Sequence, residues 1–293
     1  MIKWRGIIWS VHPLFVMVML ASAMTGYFVE LLTLFVIVVV HELGHVVVAR
    51  SFGWKIKEVK LLPFGGVAEV EDAGGLSAKE EALVAIAGPL QNVWMGLLAW
   101  GLGALGLWDN QWGQYVAQAN LMIALFNLLP IQPLDGGKLL HALLCYCLNY
   151  YRTLRWTARI SLLFSALMIA GAFLPLLMEG RGIQANLLVV GIFLLVTNWT
   201  YNRNIPFLFY RFLTHREAAS DFAQHRGKPV SPIIVSGQQS ILSVTRLFRR
   251  ERYHIVYVIQ PAAVELQVLT EQRIVEGCLS GLNPHRAVKE LFS

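Results

Sequence analysis

The feature that most constrains this chain is an apolar run, Leu31 to Ala49, that carries His-Glu-x-x-His near its end. A run of about 19 residues is long enough to cross a bilayer as a helix. Within it His41 and His45 stand at i and i+4, on one helix face, where both imidazoles reach a single metal ion. Glu42 follows the first of them, placed to take a proton from water activated by that metal. Five residues with two free positions are only moderately specific, so the setting carries the argument. An ionised group deep in an apolar span costs about 2.5–3.5 kcal/mol on insertion scales. A span that keeps Glu42 between two histidines therefore calls for a compensating cation. The plain alternative is three polar residues at the rim of the span, satisfied by water.

The surroundings are those of a membrane protein. Of 293 residues, 56% are hydrophobic and only 14% charged, where soluble domains carry about a quarter charged residues. Six spans are expected, at about 7–24, 29–49, 82–106, 114–130, 157–178 and 184–201. The basic residues sort with them. Lys3, Arg5, Arg50, Lys55, Lys57, Lys60, Lys79, Lys138, Arg152, Arg155, Arg203 and Arg211 fall on one side, and Arg181 alone on the other. The positive-inside rule then places both termini in the cytoplasm. The net charge of +6 is a topology signal, and nucleic-acid binding is not expected. No cleavable signal peptide is expected, since the first apolar run lacks a small-residue cleavage site. Cys145, Cys147 and Cys278 make neither a disulfide framework nor a thiolate metal site.

Between the second and third spans, residues 57–70 hold two β-prone pieces around Gly65-Gly66, which reads as a hairpin at the membrane. Its edge suits an extended peptide, with Gly65 and Gly66 at the pairing strand; an ordinary surface hairpin is the alternative. In the third span, Ala87-Gly88-Pro89 permits close helix approach and Asn92 needs an interior partner, a feature that fits packing as well as function. The fourth span breaks at Pro130 and Pro133, ahead of Asp135-Gly136-Gly137. Catalytic zinc takes three protein ligands. Asp135 is the best candidate for the third, with His141 as its rival. After Arg203 the chain turns polar and basic. Residues 202–231 read as an amphipathic linker along the membrane. Residues 232–293 read as a small α/β unit: strands at 233–235, 253–259 and 265–269, a helix from Ser240 to Arg250, and a helix capped by Thr270.

Taken together, His41-Glu42-x-x-His45 in a span, Pro63-Phe64-Gly65-Gly66, Ala87-Gly88-Pro89 with Asn92, and Asn127-Leu-Leu-Pro130-x-x-Pro133-Leu134-Asp135-Gly136-Gly137 resemble the site-2 protease family of intramembrane metalloproteases. The resemblance implies one zinc ion on His41, His45 and Asp135, general base and acid work by Glu42, and Asn127, Pro133 and Phe64 near the substrate. It implies an α-helical polytopic membrane protein with a membrane-associated β-hairpin: a protease domain over 1–201, a linker over 202–231, and a domain like one cystathionine-β-synthase (CBS) repeat over 232–293. A six-span layout with such a tail is similar to family members of endospore-forming bacteria. By that likeness the substrate is a membrane-associated sigma-factor precursor, pro-sigma-K. The setting is the mother-cell-derived membrane around the forespore, and inhibitory membrane proteins act as partners. The CBS-like tail implies ATP or AMP as a ligand, and a single repeat implies pairing between chains into a homo-oligomer. Gln132 stands where many members carry Asn, and Arg273 and Gln260 depart from the ribose-binding pattern of the repeat.

Two other classes compete. A metal transporter needs polar residues along several spans, and the last two spans are nearly free of ionisable groups. A nonproteolytic scaffold sensing nucleotide through the tail has no use for Glu42.

Overall fold

The computed structural model describes residues 2–4, 7–11, 24–62, 65–70, 77–179, 182–224, 230–259, 266–279 and 285–292. Strands β1 (Ile2–Trp4) and β2 (Ile7–Val11) precede helix α1 (Phe28–Ser51), which contains the metal motif. One face of α1 is buried through Ile37, His41, Gly44, His45 and Ala49, at helical spacing, while Val36 and Val47 are exposed. The helix stops at Gly53, whose φ of +78° only glycine adopts readily. The Gly53 amide donates to the Arg50 carbonyl and the Trp54 amide to the Ala49 carbonyl, satisfying the last turn.

The chain then reverses into β3 (Ile56–Leu62) and β4 (Gly65–Val70), an antiparallel pair. The expected hairpin is present, with Gly65 and Gly66 inside β4, facing Leu62 and Leu61. Sheet order is β1-β2-β3-β4, with β2 parallel to β3. This corrects the first expected span. Residues 7–11 are a strand, with Ile8 to Val11 in register with Glu58 to Leu61, so no helix starts at residue 7. A run such as Ile7-Ile8-Trp9 satisfies either element, and a distant partner strand decided it. The remainder of that expected span, residues 12–23, lies outside the described residues, as do Pro63 and Phe64.

Helix α2 (Ala78–Ala104) is capped by Ser77, whose hydroxyl accepts from the Lys79 amide. It pairs with α3 (Asn110–Asn127), capped by Asp109. Small residues let the two approach: a Cβ on Gly113 would lie 2.9 Å from the Ala99 carbonyl oxygen. After α3 the chain folds tightly over Leu128 to Leu134, where the Ile131 amide donates to the Leu129 carbonyl and the Leu134 amide to the Ile131 carbonyl. It then enters α4 (Asp135–Cys147). A Cβ on Gly136 would sit 2.2 Å from the Leu128 carbonyl oxygen, and one on Gly137 2.5 Å from the Ile131 carbonyl carbon. Those glycines allow the turn to close and set Asp135 at the first position of α4.

The chain divides into two compact units, residues 1–139 and 140–293. In the second, α5 (Tyr150–Ala172) packs on α7 (Ala185–Arg203), with the short α6 (Leu174–Glu179) between them in sequence. The tract expected to be a linker is largely helix α8 (Ile205–Gln224). Its Ile205, Phe209 and Leu213 are buried in one core with Leu154, Val244, Phe248, Val256, Val258 and Ile274. Full burial of each such side chain contributes about 1.5–3 kcal/mol, which draws α8 into the core. The tail follows as β5 (Val230–Ser236), α9 (Ile241–Thr245), β6 (Tyr253–Ile259), β7 (Leu266–Thr270) and α10 (Glu271–Leu279), then a 3-10 turn at Val288–Leu291. Strand β6 is central, parallel to β5 and antiparallel to β7. The helix expected to reach Arg250 ends at Thr245. A buried ion pair ties α8 to the tail: Arg216 Nε lies 2.7 Å from Glu271 Oε1, and His254 Nδ1 2.9 Å from Glu271 Oε2.

Four helices among the described residues are long and apolar enough to cross a membrane: α1, α2, α5 and α7. They match four of the expected spans. Helix α3 lies where another was expected and is not among the four. The chain is an integral membrane protein, predominantly helical, with two small sheets among the described residues.

Candidate metal centre

The ligand atoms of His41, His45 and Asp135 lie within 4.8 Å of one another, and all three residues are buried. His41 Nε2 and His45 Nε2 each lie 3.0 Å from Asp135 Oδ2, and the two nitrogens are 3.2 Å apart. Ligands held at about 2.0–2.1 Å around a tetrahedral zinc are about 3.3 Å apart. The triangle thus has the size of one face of a zinc site, with no rearrangement required.

The tautomers fit a cation too. His45 Nδ1 donates to the Val84 carbonyl oxygen at 2.7 Å, and His41 Nδ1 donates to Asn92 Oδ1. Both hydrogens being on Nδ1, each Nε2 turns a lone pair toward Asp135 Oδ2. Three acceptors facing one another repel unless a positive charge stands among them. The absence of a side chain at Gly88 is what lets both rings sit as they do. A Cβ there would lie 2.2 Å from His45 Nε2 and 2.6 Å from His41 Nε2. The residues present therefore fit a zinc ion.

Asp135 is held from its other side: Lys138 Nζ lies 3.1 Å from Oδ1, leaving Oδ2 to the histidines. Glu42, beside His41, is buried. Asn127 ends α3, half-buried, with its amide donating to the Ile123 carbonyl at 3.1 Å. Pro133 is exposed in the turn before Asp135. Gly65 and Gly66 open β4, and Phe64 lies outside the described residues. The rival ligand, His141, is not in the trio. Its Nδ1 lies 3.4 Å from the Thr157 hydroxyl and its ring meets Tyr150 edge-on.

Four contributors were missed from sequence: the Gly88 hollow, the Val84 carbonyl, Lys138, and Asn120, whose Oδ1 accepts from the Asn92 amide at 3.3 Å. Only Lys138 carried a local signal, three residues after a carboxylate on a helix.

An HExxH helix that meets a distant aspartate among bilayer-length helices presents the donor set of a membrane-embedded metalloprotease. Residues 29–109 and 104–170 match peptidase family M50. The chain is 32% identical over 292 residues to stage IV sporulation protein FB of Bacillus subtilis, covering 99% of this chain and 98% of that protein. It is 36% identical over 141 residues to a zinc metalloprotease of Methanocaldococcus jannaschii, covering 46% of this chain and 40% of that one. The solved site-2 protease of M. jannaschii superposes with a TM-score of 0.53 at 30% identity, over 69% of this chain and 94% of that chain. The chain belongs to peptidase family M50, the site-2 proteases, and is a zinc metalloprotease.

Proposed function

We propose that this protease cleaves a membrane-associated precursor of the pro-sigma-K kind during sporulation. The observation that carries the reading is the convergence of two Nε2 lone pairs and one carboxylate oxygen at the end of a bilayer-length helix. The likeness to a stage IV sporulation protein along the whole chain supports the choice of substrate. His41, His45 and Asp135 hold the metal. Zinc bound there supplies Lewis acidity toward a peptide carbonyl and toward water. Glu42, one residue from a ligand and buried, takes the proton from water and returns it to the leaving amine. Asn127 and Pro133 border the substrate, and the Asn127 amide polarises or orients its backbone. A helical substrate shields its carbonyls. Pairing with the β4 edge at Gly65 and Gly66, next to Phe64, holds it extended.

The basic residues place both termini in the cytoplasm, and by likeness the membrane is the mother-cell-derived one around the forespore, where inhibitory membrane proteins restrain the enzyme. We assign residues 1–201 to the protease domain, 202–231 to the connection and 232–293 to a CBS-like domain that takes ATP or AMP and joins chains into a homo-oligomer. The support for association is a sheet face. The tail's core hides Val235, Val256 and Leu269, but Ile234, Leu266 and Val268 on the opposite face are 69%, 56% and 54% exposed.

The test is co-expression with a membrane-tethered sigma-factor precursor. A shortened product is expected with the native chain and none with Glu42→Gln, which keeps its zinc. Undiminished cleavage by Glu42→Gln would sink the mechanism, and no product from zinc-loaded native chain would sink the substrate. Adenine nucleotide titrated into the solubilised chain tests the tail: saturable binding is expected, and none removes that assignment.

A further inference from the structure

The three nitrogen and oxygen contacts behind His41 form a relay that ends on the backbone of a different helix. Asn120 Nδ2 lies 2.9 Å from the Val116 carbonyl oxygen, which can only accept. The Asn120 amide nitrogen must therefore face Val116, and its Oδ1 must face Asn92. Asn92 accordingly presents Nδ2 to Asn120 at 3.3 Å and Oδ1 to His41 Nδ1. Asn92 and Asn120 are both fully buried, so no solvent offers either amide another partner. A space at Gly96, where a Cβ would lie 3.3 Å from the Asn120 Cβ, lets α3 come close enough.

We infer that Asn120 is a positioning residue of the metal centre, acting through Asn92 to hold His41 in the tautomer with a free Nε2. It touches no ligand. Its effect is to forbid the flipped Asn92 amide, which would present hydrogens to His41 Nδ1 and move the ring proton to Nε2, where it blocks the metal. His45 needs no such relay because a backbone carbonyl, with no flipped state, accepts from its Nδ1. The inference rests on the reading of His41, His45 and Asp135 as metal ligands. It adds a control point on α3 to a site carried by α1 and α4.

The test uses the full chain in detergent, cobalt(II) as a visible-absorbing probe, and zinc competition against a chelator. Asn120→Leu should weaken zinc about 10- to 100-fold, the range of outer-shell effects, and reduce the cobalt ligand-field bands to match. Asn92→Asp offers His41 an acceptor in either orientation, but beside native Asn120 it sets a carboxylate oxygen against the Asn120 Oδ1, so it is used only in combination. The double variant, Asn92→Asp with Asn120→Leu, should recover native affinity and the native cobalt spectrum. Native affinity in Asn120→Leu would overturn the proposal. So would loss without recovery in the double variant, which would make Asn120 a packing residue. His41→Ala is the reference: native metal affinity in that variant would refute the ligand assignment itself, independently of the relay.

Discussion

Replacing Gly88 with alanine places one methyl group against both Nε2 atoms of the candidate metal centre. The added Cβ would stand 2.2 Å from His45 Nε2, 2.5 Å from His45 Cε1 and 2.6 Å from His41 Nε2. Non-bonded carbon contacts settle at about 3.5–4.0 Å, so at least one ring must retreat by about 1.3 Å. Metal sites tolerate displacements of about 0.2 Å, and the required shift is several times larger. The rings have no easy retreat, because their Nδ1 atoms are tied to Val84 and Asn92. Separating α1 from α2 instead would undo the packing at Gly44, where a Cβ would lie only 2.8 Å from the Ala87 carbonyl oxygen. Overpacking of this kind costs about 1–3 kcal/mol, which a membrane bundle survives; the metal does not. Purified Gly88→Ala should therefore fold and span the membrane. Elemental analysis should find less than about a tenth of the native zinc, as expected when ligands lie outside bonding range, and precursor cleavage should be absent. Gly101→Ala is the control, on the same helix with nothing within 4 Å of the added atom, and should match the native chain. Native zinc content and cleavage in Gly88→Ala would refute the geometry.

Removing the third ligand by Asp135→Ala should abolish cleavage and lower zinc content together, read by product gels and elemental analysis; full activity would remove Asp135 from the site. Cysteines placed at 63–67 should crosslink to the substrate's cleavage region in a Glu42→Gln background, and crosslinks found only elsewhere would make the hairpin an ordinary surface loop. Ile234→Glu should weaken association measured by light scattering in mild detergent, since it puts a charge on an apolar sheet face; an unchanged mass would separate oligomerisation from that face. Among the cysteines, exposed Cys147 should react with maleimide before buried Cys145 and Cys278. Burial pushes the Cys278 thiol above its usual range, so its labelling should rise only at higher pH; equal rates at neutral pH would contradict the packing.

Helix α1, its two histidines and Glu42, the proline-broken turn before Asp135, the β3–β4 hairpin and the three tail strands were all legible in the sequence. Each is encoded within a few neighbouring residues, by period, by turn chemistry or by a metal-binding spacing. Asp135 was legible as a ligand candidate because a carboxylate after two prolines stands in so apolar a segment, and the structure brings it to the two histidines. The strand at Ile7–Val11 was not, since what distinguishes it from the start of a helix is β3, some 50 residues away. The helical form and burial of α8 were not legible for a similar reason: its Phe209 and Leu213 acquire an inside only once the tail sheet exists to cover them.

What the sequence by itself determined is the chemistry: a bilayer-length helix carrying two imidazoles and a carboxylate, and a second carboxylate at a chain break, are properties of residue type and spacing. What only the tertiary structure decided is which empty space and which hydrogen bonds complete the site. Gly88 is a hollow because α2 crosses α1 at that residue, and Asn120 reaches Asn92, behind His41, only because α3 lies against α2 at Gly96. Distances of that kind depend on how helices far apart in the chain settle against each other, and the local pattern of a helix carries no record of which neighbour its faces will meet.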